Sequence, residues 1–413
     1  MRVSRVWTGA VVMAVMGSAA RAEPQQGALA SLWAEVERAW EAGPGRAANA
    51  QVSTERRARE REPGVFESLS VEFAPEVSPG DTLRSEVAGS IGVGVRILGV
   101  GHRKTEAAAR LSLAQADLTS RRVAFAEEVV ARYGEWVAAE LQARHLREHI
   151  DELEADLAPL REAVAQRKLD ALTLDGLEVE LVRLGLELER AKTAVVDAAS
   201  ALSLALGQSV DPTTFGALPT EPIPAVWHEI APAAHPELAR LTAEASRERA
   251  AAAVVRRSDD PLLSLAATVR HVDEPDGPFV YGGVTAGLTV PLSRVGGAEA
   301  ERHAGRAVAL GFERDHKAVL FELELARRQR RHERWVTELE RLRSQAAPRL
   351  EARVERTAAA VRAGRAAAAE LVLARRDRIE LHHAEVALVG QLVASGLMST
   401  FWKTALEARE EGR

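Results

Sequence analysis

The chain has no cysteine among its 413 residues. That excludes disulfides, thiolate metal sites and a lipid-acylated cysteine at the start of a mature chain. Beyond residue 22 there is no unbroken run of about 18 or more apolar residues, so no transmembrane helix is expected. Aromatic residues make up only 4%, little for a globular enzyme. No charge sign dominates: 54 basic and 60 acidic residues are interleaved, with a net charge of -6. This balance argues against nucleic acid as the main partner.

What is present points to export and to helices. Arg2 and Arg5 open the chain, residues 6–16 are apolar, and Ala20-Arg21-Ala22 matches an A-x-A cleavage site. Residues 1–22 are therefore expected to be a secretory signal peptide. An exported chain can still enter an outer membrane as β-strands. Ala, Leu, Glu and Arg dominate the remainder, a composition that suits long helices with charged faces.

The sequence reads as two copies of one plan: helix, two short strands, a very long helix, a tip and a return helix. Copy one is expected over 23–206 and copy two over 233–413. Residues 207–232, with five prolines, form the linker. In copy two, His235-Pro236-Glu237-Leu238 opens a helix with Pro early and an acid in its first turn. Strands follow at 262–272 and 279–292, joined by the turn cluster 273–278. Gly296 and Gly297 end them, and a helical stretch runs over 298–363, interrupted by Pro348. In copy one the helices are 29–40 and 46–61, the strands 67–74 and 84–98, and the long helix 102–167 with Pro159 inside it. The tips are Lys168, Leu169 and Asp170 in copy one and Gly364 in copy two. From strand end to tip each arm measures about 100 Å at the α-helical rise. Each proline should kink or break its helix.

Leu146, Ile150, Leu153, Leu157, Leu160 and Val164 step by 4, 3, 4, 3, 4. In the return helix Leu174, Leu177, Leu181, Leu184, Leu188, Ala191, Val195, Ala198 and Leu202 alternate 3 and 4 throughout. A mean step of 3.5 keeps one seam on a partner helix, so antiparallel coiled hairpins are expected. The second long helix drifts: Trp335, Leu339, Leu342, Ala346, Leu350, Val354, Thr357 and Val361 step 4, 3, 4, 4, 4, 3, 4. Less supercoiling is expected there. An ordinary antiparallel bundle satisfies the same spacing. The strands have one apolar face, as in Val280, Val284, Ala286 and Leu288, and one face of Thr, Tyr, Phe and Gly. They suit either tilted membrane strands or a small β-layer on a soluble helical body. Four strands cannot close a barrel, so insertion in lipid would require several chains to share one.

With these features the chain resembles the TolC-like outer-membrane factor family. The likeness rests on the signal peptide, the duplicated plan, the His235-Pro236-Glu237-Leu238 start, Pro261 before the strands, and Gly364 followed by Glu370-Leu371-Val372. The resemblance implies a mainly α fold with a small β part, assembled as a homotrimeric α-barrel and β-barrel in the outer membrane lipid with a large periplasmic part. It further implies a passive efflux conduit that meets a periplasmic adaptor and an inner-membrane pump. Acidic residues after each tip, here Asp175 and Glu370, would line the entrance; Leu373 stands where a second acid often follows.

No catalytic, cofactor or metal site is expected. His145 and His149 lie four apart beside Glu148 and Glu152, but a charged coiled-coil surface produces such pairs often. His382 and His383 are adjacent and point apart on a helix. The run Arg327-Arg328-Gln329-Arg330-Arg331 is mixed with acids and reads as a solvated face. The competing reading is a soluble periplasmic coiled-coil adaptor or scaffold.

Overall fold

The computed structural model describes residues 23–62, 66–78, 84–95, 100–166, 171–215, 218–231, 235–258, 262–274, 277–289 and 296–411. The expected signal peptide and the first hairpin tip, Lys168, Leu169 and Asp170, lie outside the described residues. The fold is mostly helical with few strands. In order come α1 (Glu23–Ala42), α2 (Pro44–Arg61), β1 (Phe66–Ser78), β2 (Arg84–Val95), α3 (Val100–Ala165) and α4 (Ala171–Leu206). Two 3-10 turns follow, Pro212–Phe215 and Trp227–Glu229. Then come α5 (Pro236–Ser258), β3 (Leu262–Glu274), β4 (Gly277–Thr289), α6 (Gly296–Arg341), a π-turn (Leu342–Ala346), α7 (Ala347–Arg362) and α8 (Ala368–Glu411).

Three details differ from the sequence expectation. Gly296 and Gly297 do not end the strands; they are the first residues of α6. The turn cluster shrinks, because Asp273, Glu274, Gly277 and Pro278 pair in the β3–β4 ladder. Ladder pairing thus overrides the low strand propensity of these residues. The prolines behave unlike each other. Pro159 lies inside an unbroken α3. Pro348 stands at the start of α7, directly after the π-turn. A proline there cannot bond the carbonyl of Ser344 and crowds it. A wider turn absorbs the conflict and takes up one extra residue. This accounts for the three successive steps of four in the 335–361 pattern.

The chain forms two compact units, each drawing on both halves of the sequence: residues 1–46, 121–235 and 320–413 in one, 47–120 and 236–319 in the other. The second unit holds the sheet. Its helices meet in small clusters, Val52 with Leu111 and Ala114, and Leu241 with Ala245 and Leu310. Lys317 and Arg240 hold the Glu237 carboxylate at 3.0 and 2.9 Å.

The first unit has two larger cores. One gathers Leu32, Trp33 and Val36 of α1, Val129, Val130, Tyr133 and Val137 of α3, and Leu392, Val393 and Leu397 of α8. Trp33 stacks on Phe401 at 5.0 Å between centroids. The other is the heptad seam made solid. Leu146, Leu153, Leu157 and Leu160 of α3 meet Leu177, Leu184, Leu188 and Ala191 of α4, with Val354, Ala358 and Val361 of α7 and Leu371, Ala374 and Ile379 of α8. Full burial of one such leucine contributes about 1.5–3 kcal/mol. Residues 368–404 of α8 are long and apolar enough to cross a membrane, but over half of that window is buried, so its apolarity serves the core.

Helix α3 touches α8 where Gly134 meets Gly390. A Cβ on Gly390 would stand 2.7 Å from the Gly134 carbonyl oxygen and 2.8 Å from the Ala138 Cβ. Gly390→Val should therefore force the helices apart and cost about 1–3 kcal/mol. The surface variant Glu380→Gln should cost less than about 0.5 kcal/mol. Guanidinium unfolding of both measures this, and equal midpoints would refute the tight crossing.

Candidate functional site: an open-edged sheet and two hairpin ends

The sheet is a meander in the order β1-β2-β3-β4, antiparallel throughout. Among the described residues β1 and β4 each pair on one side only. Pro75 and Pro278 fall on these two edge strands, where a missing N–H does least harm. The register aligns Leu69, Val93, Leu265 and Ala286 in one row, and Val71, Ile91, Ala267 and Val284 in the next. Side chains alternate between faces along a strand. On β3 and β4, Leu265, Val269, Val280 and Val284 share one face and are exposed, Val284 to 80%. The opposite face carries Ala266, Thr268, Gly283 and Thr285, with Thr268 Oγ1 donating to the Gly283 carbonyl at 3.3 Å. An exposed apolar face of this kind calls for a covering medium or partner.

In the other unit, the end of α7 stops on Gly364 at φ 68°. The Gly364 N–H donates to the Val361 carbonyl at 2.9 Å and the Arg365 N–H to the Ala360 carbonyl at 2.8 Å. This doubly bonded glycine stop needs a left-handed residue, which only glycine supplies without strain. The same pair of bonds ends α4 at Gly207, also at φ 68°. Gly364 thus lies between the end of α7 and the start of α8.

Asp175 lies early in α4 and Glu370 in the first turn of α8. The two helix starts are neighbours, for a Cβ on Gly176 would stand 4.0 Å from the Ala368 Cβ. Both carboxylates are exposed. Neither side chain has a hydrogen bond or ion pair among the described residues. A carboxylate near a helix start also complements the partial positive charge there.

Behind them lies a set of ion pairs that sequence reading passed over. Arg376 of α8 and Arg183 of α4 both grip Glu180, at 2.7 and 2.6 Å. Glu180 is 1% exposed. Burial pushes its carboxyl up, but the hydrogen bonds from Arg183 and Arg376 outweigh that and hold it below the usual range. Arg375 reaches Asp156 and Arg378 reaches Glu152, both on α3. Arg353 of α7 meets Asp377 at 2.6 Å. The signal was the charged run Arg375-Arg376-Asp377-Arg378 in the return helix. The other arginine run is mostly exposed, though Arg328 bonds Glu324 and Glu127 at 2.8 and 3.2 Å. Among the described residues no group of three or more His, Asp or Glu side chains is arranged to hold a metal.

No protein-family model matches the chain, and no curated protein matches it in sequence. Solved structures do match it in fold. The chain is similar to the outer membrane protein VceC of Vibrio cholerae, with 14% identity, 91% of this chain and 96% of that chain covered, and a TM-score of 0.73. It is similar to the outer-membrane channel OprN, with 16% identity, 91% and 89% covered, and a TM-score of 0.67. It is also similar to the MtrE outer membrane channel of Neisseria gonorrhoeae in its open state, with 15% identity, 91% and 88% covered, and a TM-score of 0.66. The chain therefore has the fold of the TolC-like outer-membrane channels.

Replacing Arg376 by Gln removes one of two cations from a buried carboxylate and should cost about 1–3 kcal/mol at neutral pH. The sign with pH follows from the lowered Glu180 carboxyl. Its stabilisation is present above the unfolded value near 4.5 and is lost as pH falls through the folded value. In the variant the carboxyl moves back up, so the loss begins at a higher pH. Denaturation midpoints across an acid series measure this.

Proposed function

We propose that this chain is one protomer of an outer-membrane channel, the outer part of a tripartite efflux or secretion system. Three copies of four strands each would share one barrel of about twelve strands, within the even-numbered range of outer-membrane barrels. The observation that carries this reading is the sheet, with two unpaired edges and an exposed apolar face. Lipid tolerates a sheet only when no edge is left open. Adding copies edge to edge removes the edges and turns Leu265, Val269, Val280 and Val284 toward lipid, with Thr268 and Thr285 toward a water-filled lumen. Shared fold with outer-membrane channels supports the same reading.

On this view residues 23–206 and 233–413 are two copies of one structural repeat, joined by 207–232. Residues 1–22 direct export. The helices stand in the periplasm, and their hairpin ends meet an adaptor and an inner-membrane pump. The protein is not an enzyme: substrate moves through it and no bond is made or broken. Asp175 and Glu370, tripled about a three-fold axis, form the entrance, with Lys168, Leu169, Asp170 and Gly364 at the tips. Such a ring enriches cations and is blocked by multivalent ones.

Two experiments test this. Val284 and Thr285 are neighbours on opposite faces. Val284→Arg should lose membrane-inserted trimer, at about 2–4 kcal/mol for a cation at mid-bilayer depth, while Thr285→Arg should retain it. Detergent extraction from outer membranes and sizing of the oligomer decide it, and equal tolerance would end the barrel reading. For the entrance, the double variant Asp175→Ala/Glu370→Ala is compared with the parent in single-channel recordings. Cation preference and block by trivalent cations should both fall; unchanged values would remove the acidic ring.

A further inference from the structure

Helices α3 and α8 are joined by a row of imidazoles. His149 of α3 is 4% exposed. The Arg378 guanidinium of α8 donates to its Nδ1 at 2.9 Å and also reaches the Glu152 carboxylate. A guanidinium can only donate, so Nδ1 of His149 is an acceptor and its proton sits on Nε2. That Nε2–H donates to Nδ1 of His382 at 2.9 Å. The proton of His382 is then on its Nε2. The two rings stack at 4.9 Å between centroids and 18° between planes. His145, one turn before His149, places a third ring 5.0 Å from His382, and its Nδ1 lies 3.1 Å from Glu148. The buried Nε2 of His383 has no hydrogen-bond partner among the described residues.

The link has one working protonation state. A proton on Nδ1 of His382 would turn N–H against N–H. A proton on Nδ1 of His149 would do the same against Arg378. Cations and burial outweigh the carboxylates around both rings. His149 faces Arg378, Arg375, His145 and His382, with the Glu152 carboxylate 4.0 Å from its Nδ1. His382 faces His145 and Arg378, and across from them Glu385 and Glu351. Glu385 is already engaged by Arg343 of the π-turn at 2.7 Å. Glu152 and Asp156 are engaged by Arg378 and Arg375. His383 faces Glu187 of α4, with Glu380 and His145.

We propose that His149, His382 and Arg378 form a proton-operated joint between α3 and α8, closed while both imidazoles are neutral and released by acid. The joint needs only the contact between these helices, so it stands apart from the channel reading. Burial, with Arg378 next, holds His149 down at about 3, and burial lowers His382 and His383 too. A released imidazole in water titrates near its ordinary value of about 6.5. The closed form is therefore fully favoured above about 6.5. Below it, each histidine freed on release shifts the closed-to-released ratio by at most about tenfold per pH unit.

The cysteine-free chain allows a direct test. Arg147→Cys on α3 and Glu380→Cys on α8, both exposed positions, take spin labels in the full-length chain, with labelled chains diluted by unlabelled ones. Pulsed electron resonance should give one short separation at pH 8 and a second, longer population at pH 5. In the labelled His149→Gln/His382→Gln chain, glutamines keep hydrogen bonding without titrating, and the separations should no longer respond to pH. His382→Gln alone should lose most of the response and serves if the double variant does not fold. Identical separations at pH 8 and pH 5 in the parent would overturn the joint. So would a full pH response in the glutamine variants. The readout involves no transport, so loss of channel activity and loss of the joint are separate results.

Discussion

A strand at the edge of a sheet leaves a row of N–H and C=O groups that only another strand, or water, can satisfy. Among the described residues that constraint falls on β1 and β4 at once, because the four-stranded meander is open on both sides. Water could solvate the edges, but it does not suit the exposed face that carries Leu265, Val269, Val280 and Val284. A medium that suits the face cannot solvate the edges. Repetition of the same chain around an axis resolves the conflict without adding a residue. The proposed sharing of one barrel among copies rests on that conflict.

The helices answer a different demand. Long helices stay in register only if their apolar residues return to the same side, turn after turn. The 3-4 alternation from Leu174 to Leu202 does this, and Leu177, Leu184, Leu188, Ala191 and Leu202 are all buried. Ion pairs then fix which helix meets which. Arg375, Arg376 and Arg378 leave α8 toward partners on both α3 and α4. A helix tied on two sides through buried or half-buried charges is specified more closely than packing alone would require, since each unpaired charge left behind would be costly.

Much of this was legible in the sequence because it is periodic. Strand alternation, heptad seams and the glycine stop at Gly364 are local patterns with local physical causes. What escaped reading was not local. His149 and His382 are 233 residues apart, and nothing in the spacing around either announces the other. The same holds for Gly134 against Gly390. Glu180 sits one residue from the seam position Leu181, and its burial depends on arginines from two helices. The drift in the 335–361 spacing was visible, but its cause was not. Reading it as relaxed supercoiling missed the alternative that the helix itself changes winding, although Pro348 stood beside it as a cue.

That change of winding has a consequence for how the stretch tolerates altered length. Adding one residue to an α-helix rotates everything beyond it by about 100°. The widened segment Leu342–Ala346 takes up such an addition, so Leu339 before it and Val354 and Val361 after it are all buried in their respective cores. It works as a phase adjuster between two cores that would otherwise fall out of step. A one-residue indel within 342–346 can be met by tightening or loosening that turn, whereas the same indel in the heptads of α4 would swing half its seam into solvent.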